Sequence, residues 1–412
     1  MAMGRGDRDI AGMRANLALA LVATIAVGAG CRPAADPAAS GGPDLEWSGP
    51  PGSSKPFLTA GSDGELLLSW LEPRSDGRHA LRLAMTRDGR WSDPKTVAES
   101  DRFFVNWADF PSVTRAGPGT LVVHWLEKTE AKPYAYHVRL TVSRDDGATW
   151  SDPITAHQDR SPTEHGFAAM VPGPDGSVAI AWLDGGAMVN PGGAMTARVA
   201  TLSADGSLGA ETVLDPRTCE CCQLAMTRAT PGLVAAYRDR TDVEVRDIAV
   251  VREVDGRWTE PVIVANDGWV LKGCPVNGPS IAAAGHHVGV AWFTGARDTA
   301  RVLVAFSQDG GATFGPPIRA DEGAPLGRVH FQMTGADSGV VVWLETSGDG
   351  AAWRVRRIAG GAAEPASTVG VTSRARDAGF PRTALVGGDL YVAWTEPGES
   401  PDGPRVRVSR VR

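Results

Sequence analysis

Cysteine is scarce in this sequence. Five residues in 412 (Cys31, Cys219, Cys221, Cys222 and Cys274) are too few for a fold held mainly by disulfides. An excess of one charge is also missing. Against 48 acidic residues stand 41 basic ones, a balance that suits solubility and gives no sign of a nucleic-acid partner. Beyond residue 30 no long stretch shows helical periodicity, which argues against a helical bundle. Glycine and proline are plentiful, at 50 and 29 residues, and they punctuate many short runs of β-branched and apolar residues. That combination points to an all-β chain.

One short pattern recurs. It reads Leu67-Leu68-Ser69-Trp70-Leu71-Glu72, then Val122-Val123-His124-Trp125-Leu126-Glu127, then Ala179-Ile180-Ala181-Trp182-Leu183-Asp184. Weaker copies centre on Tyr237, Trp292, Trp343 and Trp394. The intervals between the seven aromatic positions are 55, 57, 55, 55, 51 and 51 residues, a period that marks a repeat architecture. The second copy shows the whole unit: strands beginning at Phe110, Leu121, His137 and Pro153, with a turn over 143–150. Four antiparallel strands per repeat make one propeller blade. Third strands are expected at 81–85, 197–202, 247–251, 302–306 and 354–358.

The last copy reaches a third strand at 406–410 and has no fourth. An unpaired edge there would invite association. Leu45-Glu46-Trp47-Ser48 resembles the fourth-strand starts Arg90-Trp91-Ser92 and Thr149-Trp150-Ser151, so the N-terminal segment is expected to close the ring. The expectation is therefore seven blades, with six blades and one irregular sheet as the alternative.

The turn of the second repeat, Ser143-Arg-Asp145-Asp-Gly147-Ala-Thr149-Trp150, matches Ser307-Gln-Asp309-Gly-Gly311-Ala-Thr313-Phe314. Physically this suits a hairpin: Asp bonds turn amides, Gly takes positive φ, and the aromatic packs beneath. Both resemble the Asp-boxes of the sialidase-like (BNR-repeat) superfamily, and the resemblance covers nearly all of 45–412. It implies a β-propeller in which these boxes are structural. It implies six blades, where this chain's repeat count departs. It also implies a carboxylate clamp of three arginines, a Tyr–Glu nucleophile and an Asp acid. The superfamily's Arg-Ile-Pro is replaced here by Lys55-Pro56-Phe57. Of the four tyrosines, Tyr237 and Tyr391 fall in or beside core strands, and Tyr134 and Tyr136 in a loop before a third strand.

The first strands of a propeller line its channel, and in sialidases the loops before them form the active mouth. Those loops carry Lys55, Asn106, Trp107, Asp109, Arg160, Glu164, His165, Arg217, Cys219, Cys221, Cys222, Cys274, Asn277, Arg328, His330, Arg376 and Asp377. If the protein is an enzyme, Asp109 or Glu164 would supply an acid and Arg160, Arg217, Arg328 and Arg376 an anion clamp, as in a glycoside hydrolase of sialidase type. The four downstream cysteines are expected to meet at one side of the mouth, from adjacent blades. Disulfides are one reading, with Cys221 or Cys222 bridged to Cys274 and the remaining pair left reduced or redox-active. A metal site is another, thiolates with His165 or His330 suiting Cu(I) or Zn(II), and a thiol nucleophile is the third.

Arg5, Arg8 and Arg14 precede an apolar run to Gly30 that is short for a membrane span of about 20 residues and reads as a secretory signal. Gly28-Ala29-Gly30-Cys31 resembles a bacterial lipobox, so Cys31 is expected to be lipidated, with 1–30 a signal, 31–44 a flexible tether and 45–412 the propeller. The expected protein is thus a monomeric cell-envelope lipoprotein facing the periplasm or exterior, touching the membrane only through Cys31. Its mouth binds a small molecule, glycan or metal through the cysteine cluster; the alternatives are an exo-acting glycosidase and a non-catalytic interaction scaffold.

Overall fold

Seven separate antiparallel sheets follow one another along the chain. Their first strands are Ser54–Ala60, Ser112–Gly117, His165–Pro172, Ala225–Arg228, Ser280–Ala284, Pro325–Gly335 and Arg382–Val386, which begin blades 1 to 7. The structure is a computed structural model that describes residues 45–61, 64–129, 132–398 and 403–411. The expected signal and tether, Cys31 included, lie outside the described residues.

The second strands are nearly continuous apolar runs because each blade is covered on both faces by its neighbours. Val178–Asp184 is buried at every position, and Leu66–Pro73 at its first six. Each of seven apolar clusters straddles two adjacent blades. Leu67, Leu81 and Leu83 of blade 1, for example, meet Val113, Val123 and Trp125 of blade 2. The Trp-x-acid signature has a local cause. The buried indole N–H of Trp70, Trp182 and Trp343 donates to Glu72, Asp184 and Glu345 at 2.7, 3.0 and 2.7 Å, so the acid two residues on satisfies a donor that burial would otherwise orphan.

Ring closure follows the expectation. Trp47–Ser48 pairs with Arg405–Val411, Trp47 opposite Val408 and Ser48 opposite Arg407. The seam between blades 7 and 1 has its own core, in which Leu58, Leu66 and Trp70 pack on Tyr391, Ala393 and Val406.

The two Ser-x-Asp-x-Gly-x-Thr-aromatic segments form the same hydrogen-bonded turn. Asp145 accepts from the amide and hydroxyl of Thr149 at 2.8 and 2.6 Å, while Ser143 Oγ accepts from the Gly147 amide at 2.7 Å. Asp309, Thr313, Ser307 and Gly311 repeat this at 2.9, 2.7 and 2.8 Å. These bonds hold each aspartate near pKa 2. Trp150 packs into the core shared with blade 1 and Phe314 into that shared with blade 4, so each turn pins its blade to the preceding one.

Candidate functional site at the channel mouth

All seven first strands contribute to a channel cavity of about 120 Å3, with Phe57, Ser112, Ala168, Leu224, Ser280, His330 and Arg382 among its walls. Above it the loops of several blades meet in an aromatic floor of Phe110 and Phe380, packed against Phe57, Trp107, Phe167 and Val276. Four non-glycine residues at this level hold positive φ: Lys55 at 59°, Phe167 at 51°, Val276 at 48° and Arg328 at 56°. Lys55, Phe167 and Arg328 sit in irregular registers of the first strands of blades 1, 3 and 6, where the extra residue re-aims side chains. Such backbone strain persists where the surrounding structure over-determines it, typically at ligand clamps and active sites.

Asp109 is buried and its Oδ2 accepts the Phe167 amide at 2.8 Å, across two blades. Burial pushes its carboxyl up to about 8, with the nearby Glu164 adding to the rise. A Cβ on Gly166 would stand 2.2 Å from Asp109 Oδ2 and 2.8 Å from the Tyr136 ring, so glycine is what lets these groups close up. The Tyr136 hydroxyl donates to Glu164 Oε2 at 3.5 Å. Glu164 is half-buried, and that burial raises its carboxyl to about 7. Tyr136 is not the loop residue anticipated. It opens the third strand of blade 2 (Tyr136–Ser143), stacks on Phe104 with ring centroids 4.1 Å apart, and bridges to Glu164 in blade 3. Burial pushes its phenol well above the usual range.

The four arginines do not converge on one point. Arg328 and Arg376 both lie over Trp107, at 4.8 and 5.8 Å. Arg328 is buried and donates to the carbonyls of Gly379 and Ala375, each at 3.0 Å. Arg217 is ion-paired to Asp242 at 2.9 Å, and Arg160 donates to the Asp159 carbonyl at 3.1 Å. Nearby, Lys55 has its pKa lowered by burial, with Asp377 opposing the shift. The cation that sequence reasoning missed is Arg382. It lies between Phe57 and Phe110, 5.3 and 4.6 Å from their rings, and shares a small cavity with Asp109. Among the described residues no carboxylate ion-pairs with it, and burial lowers its pKa to about 10, so it stays charged. It stands inside a first strand, Arg382–Val386, and not in the loop before one, so the sequence of the mouth loops does not reveal it.

The four cysteines do come together at the mouth, as two disulfides. Cys219 pairs with Cys222 and Cys221 with Cys274, with Cα separations of 5.7 and 6.0 Å. Cys221–Cys274 joins blades 4 and 5, as the adjacent-blade argument anticipated. The remaining pair is oxidised as well, whereas a reduced or redox-active pair was expected. Sulfurs so paired carry no thiolate for Cu(I) or Zn(II) and no nucleophile. Glu220, between them, bonds Arg240 and Arg246, which fastens the same loop through charge. Neither histidine joins the sulfurs through its hydrogen bonds. His330 lies in the channel wall bonded to Thr383 Oγ1 at 2.7 Å, and burial drives its pKa well down. His165 lies against His157, ring centroids 4.0 Å apart.

No family model and no curated protein matches the chain. Solved structures do resemble it. Polysaccharide lyase Uly1 has a TM-score of 0.53 at 10% identity, covering 87% of this chain and 90% of its own. The Penicillium chrysogenum α-L-arabinanase complexed with arabinobiose has a TM-score of 0.49 at 12% identity, covering 90% and 97%. Trypanosoma rangeli sialidase has a TM-score of 0.47 at 14% identity, covering 79% of this chain, which spans 56% of that structure's length. At such identities the likeness extends to the propeller fold.

Proposed function

We propose that the protein cleaves glycosidic bonds in a carbohydrate bearing a carboxylate, at the mouth of its channel. The supporting observation is the placement of Asp109, whose carboxyl is pushed up to about 8, beside the hydrogen-bonded Tyr136–Glu164 pair. A carboxyl that keeps its proton at neutral pH is suited to protonate a leaving oxygen. Asp109 gives its proton to the glycosidic oxygen as that bond breaks. Glu164 takes the proton from the Tyr136 hydroxyl as that oxygen bonds to the anomeric carbon. Water then displaces the tyrosine, giving one proton to Asp109 while Tyr136 recovers its own from Glu164, so one water is consumed overall. Arg376, over Trp107, and Lys55, near Asp377, supply positive charge for the carboxylate.

The test is a panel of aryl and natural sialosides and uronides with the parent, Asp109→Asn, Glu164→Gln and Tyr136→Phe. The Asp109 variant is expected to lose about 10²–10⁴-fold in turnover on natural linkages, and less on aryl glycosides whose leaving groups need no proton. A parent inactive on both classes, or an Asp109 variant with undiminished rates, overturns the proposal.

A second reading, retention of an acidic sugar without turnover, draws on the aromatic cluster at the mouth. It calls for saturable binding with unaltered ligand. An envelope location through a lipid on Cys31 belongs to the same proposal, and incorporation of a labelled fatty acid that Cys31→Ser abolishes is its test.

A further inference from the structure

His165 is fully buried at the start of blade 3. Its Nδ1 faces two carbonyl oxygens, Tyr136 O and Thr163 O, each at 3.3 Å. Carbonyls only accept, so Nδ1 carries the ring proton. The other nitrogen, Nε2, is buried without a hydrogen-bond partner. It is aimed at Asp159 Oδ2 and Asp184 Oδ2, 3.5 and 3.8 Å away. A buried ring nitrogen without a hydrogen-bond partner thus points at two carboxylate oxygens, an arrangement that a cation bound among the three would satisfy.

The spacing suits such a cation. These separations exceed an ordinary N–H···O bond of about 2.7–3.2 Å. They are near the ~3.3 Å that separates two ligands each about 2.0–2.1 Å from a tetrahedral metal. The ligand atoms of all three residues lie within 4.8 Å of one another.

The surroundings hold the donors in place as the outer shell of a metal site does. Asp184 receives the Trp182 indole N–H on Oδ2 and the Gly186 amide on Oδ1, both at 3.0 Å. Asp159 receives the Ser161 amide on Oδ1 at 2.7 Å and its hydroxyl on Oδ2 at 2.9 Å. A Cβ on Gly186 would stand 1.7 Å from Asp159 Oδ2, so the cradle requires glycine there. His165 has its proton-bearing nitrogen on backbone carbonyls, which fixes the tautomer that leaves Nε2 free to ligate.

We infer that Asp159, His165 and Asp184 form a binding site for a divalent transition-metal ion. One imidazole and two carboxylates, with no thiolate, suit Zn²⁺ or Mn²⁺ and disfavour Cu(I). Asp159 is the ligand that opens to solvent, at 31% side-chain exposure against 0% and 1% for the other two, so the ion enters past it. The inference is independent of the proposed glycan chemistry, since its readout is metal uptake.

The protein is stripped with chelator, then titrated calorimetrically with Zn²⁺ and with Mn²⁺, and Co²⁺ absorption reports the ligand set. The expected result is one equivalent bound and a rise in melting temperature. Asp159→Asn, at the most exposed of the three positions, should weaken binding by about tenfold or more, as should His165→Gln. A parent that takes up none of these ions overturns the inference. So does uptake that neither variant weakens.

Discussion

The Phe167 amide donates to Asp109 Oδ2 at 2.8 Å, and this one bond joins the mouth loops of blades 2 and 3 across 58 residues. It goes with Phe167 at positive φ and a bare Cα at Gly166, so two unusual local choices serve a single contact. It also explains why a buried carboxyl is retained at the mouth.

That carboxyl makes stability depend on pH. Folded Asp109 holds its proton to about pH 8, whereas an unfolded aspartate releases it near 3.9. Between those values the folded state binds more protons, so this group's contribution to stability falls as pH rises, by up to about 1.4 kcal/mol per pH unit. Asp109→Asn keeps an acceptor for the Phe167 amide and removes the titration. The variant should gain on the parent in melting temperature from pH 4 to pH 8 and no further above it. A constant difference across that range would mean Asp109 ionises as an exposed aspartate does.

Ring closure should be sensitive to Trp47. Its ring lies 4.7 Å from that of Trp70 and 6.4 Å from that of Trp91, whose indole donates to Leu45 O at 2.9 Å. Trp47→Ala should cost about 3 kcal/mol. Deleting 45–49 should expose the edge of Arg405–Val411 and bring on self-association, visible by size-exclusion chromatography. A deletion that melts and elutes like the parent would dissolve the account of the shared last blade.

The disulfide between Cys221 and Cys274 spans 53 residues, so it should act as a staple. Cys274→Ser is expected to lower stability by about 2–5 kcal/mol while the propeller still folds. Affinity for acidic sugars should change little at temperatures well below melting. Lost affinity with an unchanged melting curve would instead give the sulfurs a part in the site.

What the sequence determined by itself is the propeller. The seven-copy period, the order of four strands, the two matching Ser-x-Asp-x-Gly turns and the borrowed strand at 47–48 all depend on patterns within one repeat or between equivalent points of repeats. A blade's alternation and turns are local, and covering each blade on both faces makes the apolar runs legible. Residue type and position also brought the four cysteines to one place on the right pair of blades.

The tertiary structure decided which side chains share the mouth. Tyr136 meets Glu164, 28 residues on, only because blades 2 and 3 pack face to face. Arg382 lines the same cavity as Asp109 because the ring closes. Asp159, His165 and Asp184 converge from a loop and two strands whose separate sequences show nothing of metal-ligand spacing. The bulges that aim Lys55, Phe167 and Arg328 were equally hidden, since none of these residue types favours positive φ and the strain is imposed by neighbouring blades. Repeat patterns report what each blade does for itself, whereas the site is made of contacts between blades, and those exist only in the closed ring.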